Sequence, residues 1–180
     1  MSLLDPAQRS ARGLAIQAEV TGQPAPAPAT LLEESWRDFV FAEVWSRPGL
    51  DRRARYLISL ASAAMCNGQA EYLDGYVRGA LGSGALSLAE LREGALHLAV
   101  YGGWSKGAEI DRAATRVAAE LGLPPAQTAP IRAEPWDAAE RGEQGAREFI
   151  KAMTFGGPPP VTPYFDAGIR NFVFGEMWCR

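Results

Sequence analysis

Apolar residues recur every three or four positions along most of this 180-residue chain, a spacing typical of amphipathic α-helices. Valine and isoleucine follow the same spacing, and they do not alternate with polar residues as they would in a half-buried strand. Because 47% of the residues are hydrophobic, the chain can bury one sizeable core. The pattern predicts an all-α protein.

Capping residues and glycines divide this pattern into separate helices. Thr30 and Ser87 each precede a glutamate by three residues, which is the arrangement of a capping box. Asp51 can cap a further helix, and Gly122 ends the last one before a proline. Between these signals Leu57–Met65 is apolar nearly all round, a composition typical of a buried helix.

The chain repeats part of itself. Trp36–Arg47 and Ile169–Arg180 are identical at seven of twelve positions, and each follows a weakly helical segment and a proline-rich stretch. We call residues 5–47 the first arm and residues 137–180 the second arm. The sequence therefore predicts an N-terminal arm with a Pro/Ala linker (1–30), a helical body (31–123), a linker (124–136) and the second arm (137–180).

Charge and cysteine content exclude several classes of function. The net charge is −3, so the chain lacks the basic excess that nucleic-acid binding needs. We find neither a secretory signal nor a run of the roughly 20 apolar residues that span a membrane. The two cysteines are far apart and match no metal or redox spacing, which favours a cytoplasmic protein.

Two phrases resemble the carboxymuconolactone decarboxylase family. They are "EVWSRPGLDRRARYLISLA" and "YVRGALGSGALSLAELREGALHLAVYGG", which starts at Tyr76. The resemblance implies an all-helical fold of about six helices, shared with alkylhydroperoxidase-like proteins, here with an additional C-terminal helical arm. It also implies trimers or hexamers. The chain looks like a tandem member with an incomplete second repeat, and we hypothesise that its second arm exchanges between subunits.

The resemblance implies a decarboxylase without metal or organic cofactor, acting on a small carboxylated lactone or related carbonyl compound. Loss of CO2 needs a donor for the developing oxyanion, a group that moves a proton and a cation for the carboxylate. We take His97 as proton shuttle, Tyr76 as oxyanion donor and Glu43 as assisting group. The candidates for substrate binding are Arg47, Arg78, Tyr101, Trp45 and Trp104.

Each catalytic candidate has an alternative structural interpretation. His97 shares a helical stripe with Glu93 and Tyr101, which forms an acid–base unit or simply satisfies a hydrogen bond within the body. Glu43 stands among apolar residues, so it carries a proton or forms an internal ion pair with a nearby arginine such as Arg47, Arg52 or Arg55. Trp45 fits a core position as well as a substrate contact.

Departures from the family pattern leave two other functions open. Tyr76 stands where the family decarboxylase has histidine, and this change favours a non-catalytic helical protein that oligomerises or binds a partner. The peroxidase branch of the family needs a Cys-x-x-Cys pair, and this helix carries Cys66 alone. We therefore expect Cys66 to be a small buried apolar residue and the chain to consume no peroxide.

Overall fold

The structure, a computed structural model, describes residues 5–66, 70–131, 137–153 and 162–180. Every regular element within these ranges is helical, so the predicted all-α class is confirmed. The chain divides into two compact units, Met1–Ala126 and Gln127–Arg180. The predicted second proline stretch and the end of the predicted 124–136 linker lie mostly outside the described residues.

Within its described residues, the first unit is built of six α-helices: α1 Pro6–Thr21, α2 Leu31–Ser35, α3 Arg52–Met65, α4 Ala70–Gly82, α5 Leu88–Gly102 and α6 Trp104–Glu120. Helix α2 continues directly into a π-helical segment, Trp36–Val44, which we call the first π segment. The second unit contains α7 (Ala138–Met153), a second π segment (Phe165–Phe174) and a short 3-10 helix (Met177–Cys179).

The helix starts lie where the capping residues predict them. Thr30 and Ser87 both form complete capping boxes, in which hydroxyl and glutamate satisfy each other's backbone amides. The Asp51 carboxylate accepts a hydrogen bond from the Ala54 amide at 2.7 Å and so fixes the first turn of α3. Gly122 follows α6 at a φ of 65°, a left-handed conformation that closes the helix.

The core of the first unit lies where α3, α4, α5 and α6 meet, and α1 closes one side of it. At this closure a Cβ on Gly79 would lie 1.7 Å from the Val20 carbonyl oxygen, so α4 needs glycine there. The Tyr56 hydroxyl donates a hydrogen bond to the same carbonyl at 3.0 Å. The last turn of α1 is therefore held directly on α3 and α4.

Two expectations for the α3 region are wrong. Helix α3 is buried on one face only, because its neighbours cover Tyr56, Leu60 and Ala64 while the Ile58 side chain is 59% exposed. Cys66 is exposed because it follows the last turn of α3 at the edge of the packed helices. Neither residue therefore behaves as the uniformly apolar sequence suggests.

The second unit is built around one helix pair. Gly145 of α7 lies so close to the second π segment that a Cβ there would lie 1.8 Å from the Arg170 carbonyl oxygen. The Phe149 ring meets those of Phe165 and Phe174 edge-on, with centroids 5.7 and 5.1 Å away. No helix in the described ranges of either unit is long and apolar enough to cross a membrane.

Candidate functional site

Tyr76 and Trp45 meet in the interior of the first unit. Tyr76 is on α4, Trp45 directly follows the first π segment, and the two rings stack with centroids 5.8 Å apart and planes 13° from parallel. Both side chains are buried, and the Arg52 guanidinium lies 5.9 Å above the Trp45 ring. The structure thus unites one predicted catalytic residue with one predicted substrate contact.

The buried position of Tyr76 decides what its hydroxyl can do. Burial raises the pKa of Tyr76 to about 12, since the apolar surroundings disfavour the phenolate. The phenol therefore stays protonated throughout the neutral range. It can donate a hydrogen bond to a developing oxyanion, and it is a poor base.

A cleft of about 400 Å³ opens beside Tyr76, between α1, α4 and the Pro/Ala linker of the first arm. Trp36 and Tyr72 form an aromatic corner in its wall, with ring centroids 4.6 Å apart and planes at 89°. Glu33 and Glu71 supply carboxylates. Among the described residues that line this cleft there is no lysine, arginine or histidine.

A second apolar groove of about 570 Å³ continues from the cleft. The two share Glu33, Trp36 and Tyr72, and the groove extends along the largely exposed side chains of Leu32 and Phe39. Sequence reasoning did not single out Tyr72 as a site residue. Its position four residues before Tyr76, on the same face of α4, is the signal that could have revealed it.

Glu43 is a buried carboxylate held by an arginine from α1. Its Oε1 lies 3.3 Å from Arg9 Nε, and the residue is only 7% exposed. The expectation of an ion pair was right in kind, but the arginine in this contact is Arg9, which lies 34 positions earlier in the chain and was not among the candidates. Glu43 thus helps to fasten α1 to the first π segment.

Arg55, in the basic stretch that follows Trp45, stabilises the backbone of the turn between the first π segment and α3. Arg55 donates hydrogen bonds to the carbonyls of Val44, Leu50 and Arg47, at 2.7, 3.1 and 2.5 Å. This bonding fixes the turn that presents Trp45 to Tyr76. Arg47 itself is an exposed residue.

Arg78, the other predicted carboxylate ligand, lies on α4 and pairs with Glu120 of α6. This ion pair links the two helices at the surface of the first unit. Arg78 is absent from the described lining of the cleft beside Tyr76, which we call the aromatic cleft. Its position therefore does not add a cation to that cleft.

His97 and Tyr101 lie together on α5, with ring centroids 5.2 Å apart. This contact matches the spacing of the predicted stripe. Tyr101 is 59% exposed, and neither residue belongs to the described lining of the cleft beside Tyr76. The structure thus places His97 and Tyr76 on different helices and gives them different ring partners.

Trp104 begins α6 and is 66% exposed. It borders a shallow groove of about 260 Å³ between α5 and α6, together with Arg92 and Asp111.

Among the described residues no group of three or more histidine, cysteine, aspartate or glutamate side chains could hold a metal ion.

Comparison with known proteins assigns the chain to a family. Residues 31–127, more than half of the chain, match the sequence model of the Carboxymuconolactone decarboxylase family. The chain belongs to this family. The matched range contains the Trp45–Tyr76 pair, His97 and the part of the cleft lining from Glu33 to Tyr76. Helix α1, the Pro/Ala linker and residues 128–180 lie outside it.

Two curated members of similar sequence are decarboxylases. Nitrosuccinic acid decarboxylase of Metarhizium robertsii is 40% identical over 73 residues, 39% of this chain and 48% of that protein. 4-Carboxymuconolactone decarboxylase of Acinetobacter baylyi is 33% identical over 87 residues, 48% of this chain and 63% of that protein. The alignments thus span about half to under two thirds of these relatives. No solved structure matches the chain significantly.

Proposed function

We propose that this family member is a cofactor-independent decarboxylase that acts on a small carboxylated compound in the cleft beside Tyr76. Family membership and the names of both curated relatives support a decarboxylase. The observation that carries the assignment to this cleft is the presence of Tyr76, buried and protonated, in the lining of a space of about 400 Å³. Such a volume suits a small organic acid.

The chemistry requires an electron sink next to the carboxylate. The C–C bond to the carboxylate breaks, CO2 leaves, and the electron pair enters a lactone carbonyl, a related carbonyl or a nitro group. The oxygen that becomes negative accepts a hydrogen bond from Tyr76, and the carbon then takes up a proton. A phenol fixed in a low-dielectric site stabilises this charge more than water does.

The other predicted residues have supporting roles in this proposal. Glu43 holds α1 in place through Arg9 and so maintains one wall of the cleft. His97, with Tyr101 beside it, is retained as the proton shuttle of the sequence hypothesis. His97 is outside the described cleft lining. His97→Ala therefore tests whether the reaction occurs beside Tyr76 or around His97 and Tyr101 on α5.

The test is CO2 release by the full chain from 4-carboxymuconolactone, from nitrosuccinic acid and from small carboxylic acids that carry an ammonium substituent. We expect Tyr76→Phe to lower turnover on the order of 100-fold, because it removes only the hydroxyl donor. Tyr164→Phe is the matched control, since Tyr164 is 92% exposed in the second unit. Full activity in Tyr76→Phe with loss in His97→Ala would overturn this cleft as the reaction site.

A non-catalytic binding domain is the second candidate. The absence of a cation from the described cleft lining favours it, because carboxylate substrates are usually held by arginine or lysine. Release of CO2 from none of these acids, with unchanged folding, would support this second function. A thiol peroxidase would instead show peroxide consumption that Cys66→Ser abolishes, which we do not expect.

A further inference from the structure

We propose that the aromatic cleft binds an organic ammonium group, so that its ligand carries a positive charge. The inference rests on the proposed function in one respect, namely that this cleft is where the substrate binds. It then defines the substrate class as a small carboxylate with a cationic substituent. Three features of the described lining carry the inference: its charge, its aromatic geometry and its open floor.

The charge of the cleft favours cations. Glu33 and Glu71 contribute two carboxylates, and no described lining residue is basic. The Glu33 carboxylate caps α2, since it accepts hydrogen bonds from the Ala29 and Thr30 amides at 2.6 and 3.2 Å. A dianionic ligand would meet repulsion from both acids here, whereas an ammonium group would be attracted.

The aromatic corner supplies the second attraction. Trp36 and Tyr72 stand at 89° to each other, and the Trp36 ring is also supported by Phe41, 5.3 Å away between centroids. Trp36 is only half-buried and Tyr72 is 42% exposed, so both rings keep surface that a ligand can reach. The face of an indole or phenol ring attracts a cation within about 6 Å of its centroid.

The floor of the cleft leaves room for such a group. Gly75 lies between Tyr72 and Tyr76 in the lining, and even a Cβ there would touch only Thr21 at an ordinary 3.4 Å. The missing side chain keeps the space beside both tyrosines open. An ammonium group at the aromatic corner would leave the opposite end of the ligand beside Tyr76.

This arrangement suits decarboxylation. A cation next to the departing carboxylate would stabilise the starting state more than the transition state, because the negative charge leaves the carboxylate as CO2 forms. Binding energy obtained at a remote ammonium group does not carry that cost and can hold the carboxylate in an apolar environment. The lack of a basic residue is then a property of the substrate pocket and not a defect of it.

The test uses three small probes and needs no turnover. Calorimetric titration of the full chain at low ionic strength compares choline, its uncharged isostere 3,3-dimethyl-1-butanol, and succinate. We expect choline to bind about tenfold more tightly than the isostere, and succinate not to compete. Higher salt should weaken choline binding because the two acids are near the surface.

Variants assign that binding to the cleft. Glu71→Gln and Trp36→Leu should each weaken choline binding about fivefold. Glu34→Gln is the matched control, because Glu34 is exposed on the same helix as Glu33 but does not line the cleft. Choline binding that neither Glu71→Gln nor Trp36→Leu weakens would overturn the inference. Equal binding of the isostere, or tighter binding of succinate, would also overturn it.

The two proposals fail separately. Choline binding at this cleft without CO2 release from any acid would sustain the ammonium site and reject the decarboxylase. Release of CO2 that depends on Tyr76, in a chain that does not bind choline, would reject the ammonium site and sustain the decarboxylase.

Discussion

The two arms of this chain have related sequences and share one close helix contact, yet they differ in what covers their tryptophans. In the first arm a Cβ on Gly13 would lie 2.4 Å from the Arg37 carbonyl oxygen, and in the second a Cβ on Gly145 would lie 1.8 Å from that of Arg170. Both arms contain a π segment and end it near a buried glutamate. The helix pair is therefore encoded locally, within each arm.

Coverage of the tryptophans shows the difference. Trp45 is 5% exposed because Tyr76 and Tyr56 of the helical body pack against it. Its counterpart Trp178 stacks on Phe174 and remains 44% exposed. The comparison teaches that the arm sequence specifies its own fold, while burial of its tryptophan depends on helices that follow the first arm.

Replacing the two tryptophans should give the largest difference in stability between the two arms. Trp45→Ala should lower the free energy of unfolding of the first unit by about 4 kcal/mol, because it leaves a cavity between Tyr56 and Tyr76. Trp178→Ala should cost about 1 kcal/mol in the second unit, since much of its ring already contacts solvent. Hydrogen exchange resolved to peptides of α4 and α7 measures each unit in the full chain. Equal losses would refute the difference in coverage.

Replacing the corresponding glycines of the two arms should destabilise both units to a similar extent. Gly13→Ala and Gly145→Ala should each destabilise their own unit by about 2 kcal/mol, because the added methyl group would overlap a carbonyl oxygen of the facing π segment. Gly82 and Gly168 are matched controls, since a Cβ at either meets nothing within 4 Å. If only Gly13→Ala destabilised its unit, the two helix pairs would not be equivalent.

Local signals in the sequence predicted the elements well. The capping boxes at Thr30 and Ser87 and the Asp51 cap depend on residues three positions apart, so the sequence alone reveals them. The π segments were not predicted, because their pattern of apolar residues also fits an α-helix. The exposed face of α3 was missed for a related reason: composition does not tell which side of a helix its neighbours cover.

The site was less predictable than the fold. The Trp45–Tyr76 stack joins residues 31 positions apart and the Arg9–Glu43 pair residues 34 apart, so both depend on tertiary packing. Arg9 could have been found from the repeat, since Arg141 holds the same place in the second arm. The aromatic cleft combines the linker, α1, the first π segment and α4, which no single motif contains.

At neutral pH, Tyr76→Phe should change the free energy of unfolding of the first unit by less than about 1 kcal/mol, the smallest effect on stability expected here. A difference should emerge in alkali. The pKa of Tyr76 is about 12 in the folded chain and near 10 when unfolded, so between these values the unfolded state loses a proton that the folded state keeps.

The free energy of unfolding should therefore fall as pH rises above 10, and fall less steeply in Tyr76→Phe, which cannot titrate. Some of the decline will remain in the variant, because burial also raises the pKa of Tyr56. Urea unfolding from pH 8 to 11.5 measures the slopes, with Tyr164→Phe as control because Tyr164 is an exposed residue of the second arm. Parallel curves for all three proteins would show that Tyr76 is not shielded by the first arm, and the contrast between the arms would then rest on the tryptophans alone.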